Sequence, residues 1–275
     1  MLLSVILLSW NSEKDVRDCL DSLLPAIREL SHEVIVVDNG SKDNTIRYLQ
    51  EYREEIRLLR LSENLGVSKG RNVALREAQG NYIWILDIDT IVNRQAITGM
   101  IDFLEKHPLC GMCACKLTSD HMEIQDSCRR LPFLHYKIMN LLCSEGVKRY
   151  LPASVIRLIQ EQNKTQFYRE KLKEKIPFET EYLIGACQLL RKEVLCRTGL
   201  LDEHIFYGPE DADFCLRIRK LNYTIFCIPE LSIVHRYNRI SNKRFFSRMS
   251  WLHIRGLLYF YAKHRLILPK TTSSP

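Results

Sequence analysis

Two carboxylates one residue apart, Asp87 and Asp89, end the stretch "NYIWILDIDT" at positions 81–90. Oxygen ligands placed in this way suit a hard divalent cation that keeps open positions for phosphate oxygens and water. The chemistry suggested is a metal-bridged diphosphate. The plainer alternative is that both side chains cap a turn, where Asp is common for its local hydrogen bonds. Three more acids, Glu210, Asp211 and Asp213, crowd the start of "EDADFCLRIRKLN". They fall in the first turn of a predicted helix, where the dipole favours ionised carboxylates, and that alone is reason enough for them. Asp38 closes "EVIVVD" and could accept a hydrogen bond from a nucleobase N–H, or serve only the turn at Gly40 and Ser41. His235 ends the apolar run "LSIVH", where a lone His is more often structural than a ligand.

The elements that must position these residues follow a β-α rhythm. Leu2–Leu8, Glu33–Asp38, Ile56–Leu61 and Tyr82–Leu86 read as strands, separated by helical patterns. The last is a near-continuous apolar run, expected of a central parallel strand covered on both faces. Such sheets bind ligands beyond the carboxyl ends of their strands. The first loop, "SWNSEKD", has neither Gly-x-Gly-x-x-Gly nor Gly-x-x-x-x-Gly-Lys, which argues against a dinucleotide-binding dehydrogenase and a P-loop enzyme. After a turn at Asn64 and Gly66, Lys69, Arg71 and Asn72 lie near a helix N-terminus, a setting suited to a diphosphate; Lys69 and Arg71 could equally be solvated charges. A helix over Arg94–Glu105 and a strand over Leu109–Leu117 follow. Residues 126–178 break the alternation with a basic, partly amphipathic helical insert. Tyr182–Leu190 resumes the sheet, with Gly185 and Ala186 small enough for a substrate to approach the backbone.

At 275 residues and 46% hydrophobic content the chain can bury one ample core. Its net charge of +7 suits phosphorylated ligands or an anionic membrane surface. No motif points to nucleic acid. The apolar opening runs straight into polar sequence and reads as a first strand, and no run is long enough to span a bilayer. Ten cysteines are scattered. Cys187, Cys196, Cys215 and Cys227 fall in apolar patterns, which predicts buried, reduced thiols in a cytoplasmic protein. Cys110, Cys113 and Cys115 lack a second ligand pair at zinc-finger spacing. Ser241–Leu268 is a basic, aromatic-rich helix that could lie at the inner face of a membrane or pack on the main domain; packing is the expectation here.

The ordered set "ILLSWNSEKDVRDCLDSLL", "VIVVDNGSKDNT", "NLGVSKGRNVALREAQGNYIWILDIDT", "LIGACQLLRKEVL" and "FYGPEDADFCLRIRKLNYTIFCIPELSIVH" resembles family 2 glycosyltransferases, most of all bacterial rhamnosyltransferase-type members. The resemblance runs over residues 2–265. It implies a GT-A fold, an α/β architecture with a mixed, mostly parallel sheet flanked by helices. Residues 1–240 would form the catalytic domain, with 1–90 its nucleotide-binding half and 126–178 the insert; 241–275 would be a helical extension and tail.

The same resemblance implies inverting transfer of a sugar, rhamnose among the candidates, from a nucleoside-diphosphate donor to a hydroxyl of a glycan or lipid-linked acceptor in cell-surface polysaccharide synthesis. Asp38 would read the base. Ser9, Asn11, Asn64, Arg71 and Asn72 would line the donor site, with Asp87 beside the ribose or the metal. Asp89 and His235 would hold Mn²⁺ or Mg²⁺. Asp211 would be the general base, Glu210 its fallback or an acceptor-binding group, and Gly185 and Ala186 would face the acceptor. The alternative is a catalytically silent sugar-nucleotide-binding scaffold, which a turnover assay would separate from an enzyme.

Overall fold

The computed structural model describes residues 3–136, 149–236 and 248–265. Strand β1 (Leu3–Ser9), helix α1 (Val16–Ile27), strand β2 (His32–Asp38), helix α2 (Thr45–Glu51), strand β3 (Arg57–Arg60), helix α3 (Val67–Glu77) and strand β4 (Tyr82–Asp87) make the expected β-α series. The four strands pair in parallel in the order β3-β2-β1-β4. β1 is apolar without alternation because both its faces are covered, and Leu3, Val5, Ile6 and Leu7 are all fully buried. In α1 the apolar residues recur every three or four positions, so Val16, Cys19, Leu20, Leu23 and Ile27 form one buried stripe.

The second half contains β5 (Thr90–Ile91), α4 (Arg94–Lys106), β6 (Cys110–Thr118), β7 (Cys128–Arg129), α5 (Ala153–Lys164), α6 (Arg169–Lys173), β8 (Phe178–Glu179), β9 (Tyr182–Leu183), β10 (Cys187–Arg191), α7 (Lys192–Thr198), α8 (Glu210–Lys220), β11 (Thr224–His235) and α9 (Arg248–His264). β10 pairs antiparallel with both β4 and β6, and β11 runs parallel to β6. The result is a nine-stranded mixed sheet ordered β3-β2-β1-β4-β10-β6-β11-β5, with β8 also paired to β11. Trp84 on β4, Phe214 on α8 and Phe260 on α9 are the largest fully buried side chains.

Four sequence expectations change. The single strand expected over Tyr182–Leu190 is two: β9 leaves the main sheet to pair with β7, and the chain turns through Gly185 before β10 begins. The separate apolar runs "TIFCIP" and "LSIVHR" are one strand, β11, with an irregularity between Ile228 and Ser232. Cys196 is exposed, because α7 covers the core with Val194 and Leu195 and turns Cys196 outward; the other described cysteines are buried and unbridged. The insert holds one short strand, β7, besides the helices α5 and α6, and its residues 137–148 lie outside the described residues.

From the expected C-terminal helix, residues 248–264 form α9; 241–247 and 266–275 lie outside the described residues. α9 packs on the domain. Phe260 is fully buried, the Tyr261 hydroxyl donates to the Pro132 carbonyl at 2.6 Å, and Lys263 Nζ reaches Asp202 and Asp213, each at 2.6 Å. Asp213 has no exposed surface and is also held by Arg217 and His264. Burial raises its carboxyl pKa, but the His264, Lys263 and Arg217 contacts outweigh this and hold it below the usual range. No described helix is long and apolar enough to cross a membrane.

Candidate active site

Ser9, Asp38 and Asp87 close three adjacent parallel strands, paired Ser9 to Asp38 and Leu8 to Asp87, so they collect at the carboxyl edge where open α/β sheets bind ligands. The chain after Asp87 turns at once into β5, whose antiparallel pairing sets His235 against Thr90. Arg236 N–H donates to the Asp89 carbonyl at 2.8 Å and locks that corner. A His at the end of one strand and an Asp after another thereby meet: His235 Nε2 lies 3.3 Å from Asp89 Oδ1 and 3.9 Å from Asp87 Oδ2.

Among the described residues, these three form the one group of acids, His or Cys able to hold a metal ion, with ligand atoms all within 4.8 Å of one another. Two carboxylates and one imidazole suit Mn²⁺ or Mg²⁺. The histidine's tautomer supports this fit. Gln125 Nε2 donates to the His235 carbonyl at 2.7 Å, which fixes the amide's orientation, and its Oε1 then lies 2.8 Å from His235 Nδ1. An amide oxygen only accepts, so Nδ1 carries a proton and Nε2 faces the acids. A proton or a cation must lie between them. Burial lowers the imidazole pKa, but Asp89 and Asp87 more than reverse this and raise it.

Arg71 completes the acidic corner. It reaches from α3 to Asp87 and to the Gly185 carbonyl, the latter at 2.9 Å, and is almost wholly buried. Its Nε–H is buried without a hydrogen-bond partner. An unpaired buried donor on a guanidinium is costly, and an anionic ligand at this point would relieve it. Gly185 was expected to leave room for an acceptor. Instead, that room is filled by the Arg71 guanidinium, with which any Cβ at Gly185 would collide. Ala186 is buried, and its carbonyl accepts from the Asp87 N–H at 3.2 Å.

Three expected donor-site side chains are engaged inside the protein. Ser9 is buried and donates weakly toward Asp38 and Val37. The Asn64 side-chain oxygen Oδ1 accepts from Gly66 N–H at 2.8 Å and from Asn39 Nδ2 at 3.1 Å. Asn72 donates to the Leu201 carbonyl and Glu203 and accepts from the Leu201 N–H, which uses both ends of its amide. These residues shape loops. Asp38 is fully buried and accepts from the Ser41 N–H at 3.1 Å. Asn11, at φ +51°, accepts from the Lys42 N–H at 2.8 Å and joins the first loop to the second.

Glu210 and Asp211 begin α8 behind a tight loop. Val67 N–H donates to the Phe206 carbonyl at 2.8 Å, and a Cβ on Gly66 would stand 2.6 Å from that oxygen, so the loop carrying the acids is seated on the loop that starts α3. Glu210 accepts from the Gly208 N–H and Asp211 from the Ala212 N–H, both at 2.7 Å. Both carboxyl pKa values are raised above the usual range, chiefly by burial, and in Glu210 also by the neighbouring Asp211 charge. Arg129 and Arg71 act against the rise at Asp211. An Asp with a raised pKa, kept partly ionised by the charges of Arg129 and Arg71, is equipped to take a proton near neutrality.

Gln125, Arg129 and Asn39 were not singled out by the sequence. Arg129 lies in the stretch that breaks the β-α rhythm and Gln125 just before it, and neither carries a motif; Asn39, beside Asp38 in "VDNGS", reads as an ordinary turn residue.

The model of the family described as "Glycosyl transferase family 2" matches residues 4–198. The poly(ribitol-phosphate) β-N-acetylglucosaminyltransferase TarS of Staphylococcus aureus is 34% identical over 111 residues, covering 39% of this chain and 19% of TarS. The crystal structure of TarS residues 1–349 with UDP-GlcNAc superimposes with a TM-score of 0.58 at 21% identity, over 97% of this chain and 65% of that one. The mannosyltransferase PcManGT of Pyrobaculum calidifontis, solved with GDP-Man and Mn²⁺, gives 0.59 at 19% identity, over 96% of this chain and 64% of that one. GalNAc-T7 with UDP, GalNAc and Mn²⁺ gives 0.65 at 16% identity, over all of this chain and 52% of that one. These likenesses establish the GT-A fold. The TarS sequence match spans only about a fifth of that protein's length.

Proposed function

The chain belongs to glycosyltransferase family 2, and on that premise we propose that it is a metal-dependent, inverting enzyme. It moves a sugar from a nucleoside diphosphate to a hydroxyl of a cell-surface glycan or its lipid-linked precursor. The observation that carries this reading is the meeting of Asp87, Asp89 and His235 beside the unpaired guanidinium donor of Arg71. These three residues would hold Mn²⁺ or Mg²⁺, which when bound supplies positive charge to the departing diphosphate. Arg71 binds a phosphate oxygen, and Asp87 orients Arg71 as well as facing the metal or ribose. Asp38, at the carboxyl end of β2 beside Ser9, would read the base, and because it is buried the Ser41 turn it holds must shift to admit the base. Asn64, Asn72 and Ser9 hold the surrounding loops, so their part in donor binding is indirect.

Asp211 takes the proton of the acceptor hydroxyl. Burial raises its pKa and so makes it a stronger base than a surface Asp, while Arg129 and Arg71 keep enough of it ionised to act. Glu210 holds the loop at Gly208 and contacts the acceptor. For the sugar, the resemblance of the motifs to rhamnosyltransferase-type members supports a dTDP-rhamnose donor. The TarS match supports a second donor, UDP-N-acetylglucosamine.

The test is release of nucleoside diphosphate from each donor, with and without chelator, in the wild type and Asp211→Asn. Release that needs metal and Asp211 supports the enzyme. Donor binding without release under any condition would support the silent scaffold instead.

A further inference from the structure

The end of the chain carries an unusual charge. The last acidic residue is Glu230; residues 231–275 contain nine Lys or Arg and no Asp or Glu, although about one residue in eight is acidic over the whole chain. Residues 1–230 hold 31 basic and 33 acidic side chains, so the protein's entire positive excess lies in this last segment.

Within that segment Arg236, just after β11, is paired with Asp18 and Asp120 and Lys263 with Asp202 and Asp213, so the remaining basic residues carry the excess. Helix α9 belongs to the same segment, and two of its faces are apolar. The inner face is accounted for: Gly256, Leu257, Phe260 and Tyr261 are buried on the domain, with Gly256 against Pro209 and His253 against Gly208. The opposite face shows Trp251, Ile254 and Leu258 at 65%, 47% and 61% exposure, spaced three and four residues apart so that they form one stripe. Arg255, next to Ile254 and one helical turn from Trp251, is exposed beside this stripe, and Arg265 is exposed just past the helix end. A helix apolar on both faces has not finished burying its surface.

From the stripe and its charge, we propose that the outer face of α9 seats on an anionic lipid bilayer, with Trp251, Ile254 and Leu258 in the interface and the basic residues on the headgroups. A tryptophan-bearing apolar stripe flanked by arginines is the arrangement that lies in the plane of a membrane interface. A segment without a single acid adds attraction for anionic lipid at no internal cost. A second copy of the chain is the weaker occupant, because two such helices would bring like charges together. The inner face of α9 rests on Gly208 and Pro209, next to Glu210 and Asp211, so a seated helix would hold that loop close to the bilayer. The inference concerns binding alone and does not depend on the donor or the reaction.

The test is co-sedimentation of the full chain with vesicles of phosphatidylglycerol and, separately, of phosphatidylcholine. The wild type is expected to sediment with phosphatidylglycerol only and to be released by salt. Trp251→Ser, Ile254→Ser and Leu258→Ser together should weaken this binding about tenfold or more, with the melting temperature and donor binding unchanged. Arg255→Gln, on the described helix, should weaken it and reduce its dependence on salt. No binding to phosphatidylglycerol, or equal binding by the triple variant, would overturn the proposal. So would self-association of the wild type, lost in the triple variant and seen by sedimentation velocity without lipid.

Discussion

Gln125 and His235 hold each other twice: the glutamine amide donates to the histidine's own carbonyl at 2.7 Å and its oxygen meets His235 Nδ1 at 2.8 Å. The imidazole can neither rotate nor change tautomer without breaking this pair, so Nε2 is kept facing Asp87 and Asp89. A partner of this kind orients a metal-binding histidine and raises its basicity. Gln125→Ala is therefore expected to weaken Mn²⁺ binding about 10–100-fold, measured by electron paramagnetic resonance of free Mn²⁺ with no donor present. Gln125→Glu keeps the acceptor for Nδ1–H and should retain most of the affinity. Wild-type affinity in Gln125→Ala would mean that the imidazole is held by other contacts.

Asp211→Asn keeps the shape of the α8 start and removes the base. Transfer should fall about 10²–10⁴-fold, with donor affinity unchanged. The pH dependence follows from the raised pKa: the protonated, inactive carboxyl persists to higher pH than in a surface Asp, so the rate should fall as pH falls through a midpoint above the ordinary carboxylate range. Arg129 lowers that pKa, so Arg129→Ala should move the midpoint further up. A midpoint left in place would separate Arg129 from the base.

Much of this was legible in the sequence. Asp87, Asp89 and Asp211 stand at strand and helix ends that periodicity alone locates, and the parallel half of the sheet follows from its apolar runs. What sequence could not show was contact at long range. Gly185 reads as open space for a substrate, yet Arg71, 114 residues earlier, fills it. The turn read at Asn64 and Gly66 is there, closed by the Asn64 side chain, whereas the resemblance puts Asn64 and Asn72 in the donor site and their amides instead close loops. Gln125 carries no motif, and its role exists only because β11 brings His235 beside it.

Gly185→Ala tests the first of those contacts. A Cβ there must push the Arg71 guanidinium aside, and the side chain is flexible enough for the fold to survive. Donor affinity should drop about tenfold or more, the loss of one charge-assisted hydrogen bond worth about 1.5–3 kcal/mol. Calorimetric binding equal to that of the wild type would show that Arg71 does not contact the donor.

Lys263→Met tests the docking of α9. It removes one partner of the buried Asp213 while Arg217 and His264 remain, and should cost about 1.5–3 kcal/mol in urea denaturation. The pH window follows from both shifts. Asp213, with a depressed folded pKa, contributes above its unfolded value and is lost as pH falls through the folded one. In Lys263 burial lowers the pKa, but Asp202 and Asp213 raise it overall, so its contribution is present below the unfolded value and lost as pH rises through the folded one. The difference between wild type and variant should therefore be largest between those limits and shrink at both extremes.

The most direct test of the central claim is calorimetric titration of dTDP-rhamnose, UDP-N-acetylglucosamine and GDP-mannose, each with Mn²⁺, with chelator and against Asp89→Ala. One donor is expected to bind with Mn²⁺ and to lose that binding both in chelator and in the variant. Equal binding of that donor with Mn²⁺, in chelator and in Asp89→Ala would contradict a metal site at Asp87, Asp89 and His235.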